Sequence, residues 1–154
     1  MQDATGTITD LIWTIRPQAE SMESLLLRIQ KNFKDLFEQQ KINFRINWQN
    51  KDLKKWKISD TNKQNTYLIL KEALNNILKY AGASEVTISI KPKQNTIEIT
   101  ITDNGNGFDV AQAGNQGNGL QNMRTRALEL PDGYFQIASN QSGTTIIFGF
   151  SLKK

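Results

Sequence analysis

The chain lacks two residue types whose chemistry defines many active sites. It contains no cysteine, so it can form neither a disulfide framework nor a thiolate metal site, which fits a reducing cytoplasm. It also contains no histidine, which excludes histidine nucleophiles, histidine general bases and histidine metal ligands from this chain. Any metal must therefore be held by oxygen ligands, and this favours Mg²⁺ over zinc.

Long apolar runs are also missing. No stretch approaches the roughly 20 apolar residues that a membrane-spanning helix needs, and the first residues lack the basic and apolar regions of a signal peptide. The 154 residues, of which 38% are hydrophobic, are enough for one domain with a substantial core. We therefore expect a cytoplasmic domain that makes no membrane contact of its own.

The net charge of +4 is modest, but lysine and arginine gather in residues 31–57, near Trp48 and Trp56. Such a cluster is compatible with a nucleic-acid patch. A solvated helix face followed by a polar loop explains it more simply, and we favour that interpretation. No nucleic acid is therefore expected as a partner.

Two helices are predicted in the first forty residues. Residues 9–16 are typical of a helix end that Pro17 terminates. Ser21 is placed to cap a second helix, which runs to about Gln40. The apolar residues expected to face the core from this second helix are Leu25, Leu26, Ile29, Phe33, Leu36 and Phe37.

Alternating apolar residues predict the strands. Residues 42–48 alternate and predict a half-buried strand, and residues 49–64 are polar and predict a loop. Residues 85–102 and 134–151 predict two hairpins, with a helix over residues 120–130 between them. This segregation predicts an α+β fold with two layers, in which helices cover one face of a mixed, mainly antiparallel sheet.

A polar stripe runs along an apolar helix predicted over residues 67–81. Glu72, Asn75, Asn76 and Lys79 recur at i, i+3, i+4 and i+7, so they line up on one face. Two adjacent asparagines cost about 0.5 kcal/mol each in a helix interior, and a merely solvated face would more often use charged residues. The stripe could hold a hydrated divalent metal and a polyphosphate.

A glycine-spaced aspartate follows the first hairpin, at Asp103, Gly105 and Gly107. The pattern is typical of a turn after a strand. It also fits a carboxylate that accepts a hydrogen bond from an exocyclic amine such as that of adenine, with the glycines allowing close approach to a flat base.

Residues 109–119 have little to bury and predict a mobile loop. Gly117 and Gly119 then open the helix that continues from Leu120. Backbone N–H groups at such a helix start favour phosphate, although a flexible loop that ends in a glycine cap gives the same pattern. Residues 143–145 predict a hairpin turn.

The ordered combination of these motifs resembles the GHKL ATPase superfamily, which includes gyrase, Hsp90, histidine kinases and MutL. The resemblance covers about residues 66–151. The segments that carry it are residues 72–81 (similar to the N box), 103–108 (G1 box), 117–120 (G2 box) and 143–145 (the last conserved turn). Residues 71–76, 81–86 and 119–126 are most similar to sensor histidine kinases of the NarL/DesK-like class, and residues 10–17 resemble the end of a dimerisation helix.

The resemblance implies a Bergerat-type fold that takes ATP and Mg²⁺ as cofactors. At the phosphate end, it implies that Glu72 acts as general base or orients the attacking group, that Asn76 ligates Mg²⁺, and that Lys79 contacts the phosphates. The ATP lid would be residues 109–119, with Gly117, Gly119 and Leu120 close to the phosphates.

At the base end, the resemblance implies that Asp103 accepts from the adenine amine and that Gly107 leaves room for the base, beside Gly105. Tyr80 would pack on adenine, and Thr144 would support Asp103 through a water. Arg124 is a weaker candidate, since it could simply pack the helix after the lid.

A histidine kinase phosphorylates a histidine, and this chain has none. We therefore predict a catalytic ATP-binding domain over residues 18–154, preceded by a dimerisation-helix and linker remnant over residues 1–17. Its expected partners are the dimerisation and phosphoacceptor domain of a full-length homodimer, and a response regulator. Two alternatives remain open from the sequence. One is an anti-sigma-factor-like serine kinase of the same fold, and the other is a non-catalytic module, either an ATP-binding interaction module or a basic nucleic-acid binder that uses residues 31–57.

Overall fold

The computed structural model describes residues 21–48, 58–108 and 119–152. Helices and strands follow one another in the order α1 (Met22–Gln39), β1 (Asn43–Trp48), α2 (Asp60–Asn76), a π-helical turn (Ile77–Ala81), β2 (Glu85–Lys93), β3 (Thr96–Asp103), α3 (Gly119–Glu129), β4 (Tyr134–Asn140) and β5 (Gly143–Ser151).

The five strands form one sheet in the order β1-β2-β3-β5-β4. β1 pairs in parallel with β2, and the other neighbours are antiparallel. The predicted mixed, mainly antiparallel sheet is therefore confirmed. The register between the two hairpins places Asp103 directly opposite Thr144, so residues about forty positions apart in sequence meet at one end of the sheet.

Alternation along the strands puts one face of the sheet in the core. The inward residues are fully or almost fully buried on every central strand: Val86, Ile88, Ile90, Ile97, Ile99, Ile101, Ile146, Phe148 and Phe150. Helices α1 and α2 contribute their own apolar faces to the same cluster. A sheet with one buried face needs this period of two, which is why the sequence pattern predicted both hairpins correctly.

Helix α1 begins as predicted, because the Ser21 hydroxyl accepts a hydrogen bond from Ser24 N at 3.2 Å. The prediction that Leu36 faces the core is wrong, since that side chain is 44% exposed while Phe33 and Phe37 are buried. Helical spacing puts Leu36 within about 20° of the buried Ile29 on the same side of the helix, so periodicity alone does not account for its exposure.

Helix α2 begins earlier than its sequence indicates. Residues 60–64 belong to the helix, not to the predicted loop, because the Ser59 hydroxyl caps the helix by accepting from Asn62 N at 3.2 Å. Lys63 is fully buried, with its Nζ 3.4 Å from Asp60 Oδ1. The helix also ends differently, since Ile77–Ala81 form a π-helical turn.

Three predicted segments lie outside the described residues, wholly or in large part. They are the linker remnant (residues 1–17), the second part of the basic segment including Trp56, and residues 109–118 of the lid, including Gly117. Among the helices that are described, none combines the length and the apolar character needed to cross a membrane.

Candidate functional site

A cavity of about 610 Å³ lies between α2 with its π-helical turn, the start of α3, and the ends of the central strands. Most of the residues singled out from the sequence line it: Glu72, Asn76, Lys79, Tyr80, Asp103, Gly107, Gly119, Leu120 and Thr144. Gly105 is not among the lining residues, and Gly117 is outside the described residues.

One end of the cavity is formed by Glu72 and Asn76, which lie one turn apart on α2 and are both half-buried. The start of α3 packs directly against them. A Cβ on Gly119 would lie 2.8 Å from Glu72 Oε2 and 3.4 Å from Asn76 Nδ2. Within the described residues, neither of these two side chains makes a hydrogen bond or an ion pair, so their oxygens remain available to a ligand.

The structure separates the two asparagines of the polar stripe. Asn76 lines the cavity, whereas Asn75 does not. Beyond Asn76 the helix widens into the π-helical turn, which carries Lys79 and Tyr80 along the cavity rim. Tyr80 is 77% exposed, which is unusual for a large aromatic residue. Single π turns occur often at functional sites.

The other end of the cavity is formed by Asp103, the last residue of β3, which is only 5% exposed. Its Oδ1 accepts from Gly105 N at 2.8 Å. Burial raises the pKa of the Asp103 carboxyl, and the backbone N–H groups of Gly105 and Thr144 partly oppose that shift. A carboxylate has about four acceptor positions, so this one can still accept from a ligand amine.

The glycines of this segment are required by the protein itself. A Cβ on Gly105 would lie 2.2 Å from the carbonyl oxygen of Ala81, because the loop packs on the end of the π-helical turn. Asn106 N donates to the same oxygen at 2.8 Å. Gly107 has a φ of +72°, and a Cβ there would lie 1.9 Å from the carbonyl oxygen of Asn140. The close approach predicted toward a base is thus, at Gly105, an approach to Ala81.

Asn104 ties this loop to the start of β2. Its Oδ1 accepts from Ser84 N and from Glu85 N, both at 2.9 Å, and its Nδ2 donates to Ser84 Oγ at 2.9 Å. The side chain therefore holds the end of β3 against the segment that leaves the π-helical turn. The segment 103–106 is fixed from both sides.

Ser139 is a residue of the site that sequence reasoning missed. Its Oγ accepts from Phe108 N at 2.9 Å and lies 2.7 Å from Thr144 Oγ1. Thr144 also donates its backbone N–H to the Asp103 carboxylate. The only sequence signal for Ser139 was a small polar residue at a strand end, which is too common to identify a site.

The middle of the cavity is apolar. Its walls include Ile77, Ile101, Met123, Ile137 and Ile146. Apolar walls with a few convergent polar groups are the usual form of a small-molecule site. The buried Asp103 acceptor beside these apolar walls suits a flat base that carries an amine.

Arg124 is not among the described residues that line the cavity. Its guanidinium stacks on the Phe135 ring, 5.0 Å from the centroid, and packs α3 on β4.

A metal ion would need help from its ligand to bind here. Within the described ranges, no group of three or more acidic residues could hold a cation by itself. Asn76 and Glu72 could supply one or two oxygens, and Mg²⁺ commonly completes its shell with substrate phosphates and water. The donor set therefore fits a metal that arrives with a polyphosphate.

Comparison with known proteins identifies the family of this chain. A family described as "Histidine kinase-, DNA gyrase B-, and HSP90-like ATPase" matches residues 61–154. The sensor protein VraS of Staphylococcus aureus is 30% identical over 146 residues, which are 95% of this chain and 41% of that protein. This chain thus spans about two fifths of the length of that relative.

Solved structures share the fold. The histidine kinase domain of a blue-light activated histidine kinase from Erythrobacter litoralis aligns with a TM-score of 0.70 at 18% identity, over 84% of this chain and 60% of that one. The catalytic domain of the histidine kinase ThkA aligns with a TM-score of 0.71 at 14% identity, over 85% of this chain and 92% of that one. The chain belongs to the histidine kinase-, DNA gyrase B- and HSP90-like ATPase family, and within it is homologous to the catalytic domains of sensor histidine kinases.

Proposed function

We propose that the cavity binds ATP with Mg²⁺, with adenine at the Asp103 end and the phosphates at the Asn76 end. The observation that carries this proposal is the polarity of the cavity. Among the described residues, a buried carboxylate lies at one end, side-chain oxygens without a protein partner and an exposed lysine lie at the other, and apolar walls connect them. A nucleotide has the complementary order of amine, flat base and polyphosphate.

At the phosphate end, three groups favour negative charge. The N–H groups at the start of α3 carry the positive end of the helix dipole, Lys79 carries a full charge, and Asn76 offers an oxygen for Mg²⁺. Asn76, with Glu72 beside it, would hold Mg²⁺ together with the phosphates, and the metal would supply neutralisation of the phosphate charge. Glycine at 119 keeps the start of α3 free of a side chain there, since a Cβ would lie only 2.8 Å from Glu72 Oε2, and this would leave the backbone N–H groups accessible to the phosphates.

The reaction we propose is transfer of the γ-phosphoryl group to a histidine outside this chain. The bond between the γ-phosphorus and the β–γ bridging oxygen breaks, a phosphorus–nitrogen bond to the imidazole forms, and ADP leaves. Glu72 would orient the imidazole or take its proton; the proposal is supported by its position in the cavity lining, one turn before Asn76. The domain otherwise contributes positioning and electrostatic stabilisation.

The acceptor would belong to the dimerisation domain of a longer sensor kinase, from which a response regulator takes the phosphoryl group. Two facts support this proposal: the chain has no histidine, and it covers only 41% of the sensor protein it resembles. Residues 1–17 would connect the two domains, and both would lie in the cytoplasm.

A phosphotransfer assay tests the activity. This chain would be mixed with the histidine-bearing domain of its own parent protein and with γ-labelled ATP. We expect acid-labile, Mg²⁺-dependent label on that domain. A Glu72→Gln variant should bind the nucleotide but transfer the label at least about tenfold more slowly, as is typical when a positioned acid–base group is lost. Acid-stable label, as phosphoserine gives, would contradict a histidine kinase.

A further inference from the structure

Ser139 touches the wall of the cavity from behind. It is not among the described residues that line the cavity, but both of its hydrogen-bond partners belong to residues that are. Its Oγ accepts from the backbone N–H of Phe108 at 2.9 Å and lies 2.7 Å from the hydroxyl of Thr144. One serine thus joins the end of the loop after β3 to the first turn of β5.

The surroundings of this serine are tightly fixed. A Cβ on Gly107 would lie 3.0 Å from Ser139 Oγ and 1.9 Å from the carbonyl oxygen of Asn140, so the loop rests directly on the end of β4. Thr144 is 8% exposed, and its backbone N–H bonds to Asp103. Both contacts of the Ser139 hydroxyl therefore lie between backbone segments that are held in place by their own hydrogen bonds.

Either hydroxyl can be the donor in the bond between Ser139 and Thr144. Ser139 Oγ already accepts from Phe108 N, so its own O–H is free to donate to Thr144. The Thr144 oxygen then accepts, and the Thr144 proton stays available to a ligand acceptor in the cavity. Adenine offers a ring nitrogen acceptor beside its exocyclic amine, whereas guanine offers a ring N–H donor beside a carbonyl. A Thr144 hydroxyl oriented as a donor therefore complements the Asp103 acceptor for adenine and not for guanine.

We infer that Ser139 is a positioning residue for base selection, which orients the Thr144 hydroxyl as a donor toward adenine while it holds Phe108 at the cavity wall. This inference rests on the proposed function. Removal of the Ser139 hydroxyl frees the Thr144 hydroxyl to rotate and leaves the Phe108 N–H without its acceptor. The loss falls on adenine nucleotides, because the guanine ring position equivalent to the adenine acceptor carries an N–H, which cannot accept from Thr144.

The test compares the affinities of wild type, Ser139→Ala and Ser139→Thr for a non-hydrolysable ATP analogue and for the matching GTP analogue. We expect Ser139→Ala to bind the ATP analogue about tenfold more weakly, the cost of roughly one well-placed hydrogen bond, and to bind the GTP analogue as wild type does. Ser139→Thr keeps the hydroxyl and should restore the selectivity. Ser142→Ala, in the exposed β4–β5 turn, is the matched control and should leave both affinities unchanged.

A double-mutant cycle shows whether Ser139 acts through Thr144. In a Thr144→Val background, Ser139→Ala should cause little further loss of affinity for the ATP analogue. If Ser139→Ala does not fold, Ser139→Cys replaces it, since a thiol keeps the volume but is a weak hydrogen-bond partner.

Two results would overturn the inference. One is wild-type affinity and selectivity in Ser139→Ala. The other is an equal loss of both nucleotides together with a lower unfolding temperature, which indicates a purely structural serine. Failure of the wild-type protein itself to bind the ATP analogue would instead refute the proposed function.

Discussion

The two ends of the cavity are built in opposite ways. At the base end, Asp103 is buried and already accepts two backbone N–H groups, and Ser139 and Thr144 pair with each other. At the phosphate end, Glu72 and Asn76 are half-buried and, within the described residues, have no hydrogen-bond partner.

This difference distinguishes side chains that stabilise the fold from side chains that are available to bind the ligand. Groups that are paired in the protein alone stabilise the fold and present a fixed shape to the base. Groups without a partner cost little stability and acquire their interactions only when metal and phosphate arrive. Substitutions that remove the paired groups at the base end should therefore change both stability and binding, and substitutions at the phosphate end or on the exposed rim should change binding alone.

The largest expected effect is at Asn76. Asn76→Ala should weaken Mg²⁺-dependent binding of an ATP analogue by more than about 100-fold, because the proposed protein ligand to the metal is lost. The unfolding free energy should stay within about 0.5 kcal/mol of wild type. Calorimetry and chemical denaturation measure the two quantities.

The neighbouring asparagine supplies the control for that experiment. Asn75 lies on the same helix but does not line the cavity. Asn75→Ala should retain wild-type affinity. Equal loss in the two variants would mean that the helix, and not a metal ligand, was disturbed.

At the base end, Gly105→Ala should destabilise the fold by about 1–3 kcal/mol, the usual cost of forcing an extra group into a packed site. The new Cβ would collide with the backbone carbonyl of Ala81, which has no rotamer by which to yield. Affinity for the ATP analogue should fall as well, since the Gly105 N–H holds Asp103. Asn106→Ala keeps its backbone hydrogen bond and should change stability by less than about 0.5 kcal/mol.

A smaller effect is expected at Tyr80, which belongs to the exposed rim. Tyr80→Ala should weaken binding of the ATP analogue by about tenfold through loss of stacking on the base, with no loss of stability. Tyr80→Phe keeps the ring and should bind as wild type does. A tenfold loss in Tyr80→Phe would assign the role to the hydroxyl.

The smallest effect concerns pH and Asp103. Burial raises the pKa of this carboxyl, so as the pH falls from 7 it takes up its proton earlier than an ordinary aspartate. Once protonated, it no longer accepts from the adenine amine as a carboxylate. The preference for ATP over the triphosphate of purine riboside, which lacks the amine, should shrink a few-fold as the pH falls. Phosphate titration cancels in this ratio.

The stability of the unliganded protein should respond in the opposite direction. A raised pKa in the folded state means that the stability associated with protonated Asp103 is fully present below the pKa of the unfolded chain and is lost as the pH rises through the folded pKa. Asp103→Asn should abolish both pH responses. A ratio that is independent of pH in wild type would remove Asp103 from amine recognition.

Much of the fold could be predicted from local pattern. Both hairpins, the Ser21 cap and the inward residues of the central strands follow from periodicity and capping, which are properties of a few neighbouring residues. The start of α2 was predicted too late, although Ser59 caps this helix in the same way that Ser21 caps α1. Residues 60–64 are polar and show no apolar periodicity, and Lys63 is buried in spite of its charge, so periodicity did not indicate that they belong to the helix.

The site shows the same limit. The motif residues on α2 and after β3 were recognisable because their types and spacing are unusual. Ser139 was not, because its role depends on strand register and on a loop from another part of the chain. The contact with the Ala81 carbonyl that requires glycine at 105 could not be predicted from the sequence either. A glycine pattern indicates a close approach but does not identify the group that approaches.

If the two ends of one cavity recognise the two ends of one nucleotide, binding must depend on both the base and the metal. The decisive experiment is calorimetric titration of the purified domain with a non-hydrolysable ATP analogue, with and without Mg²⁺ and with a GTP analogue as control. We expect Mg²⁺ to strengthen binding of the ATP analogue and the GTP analogue to bind more weakly. Absence of binding under both conditions, or equal affinity for the two nucleotides, would refute this recognition.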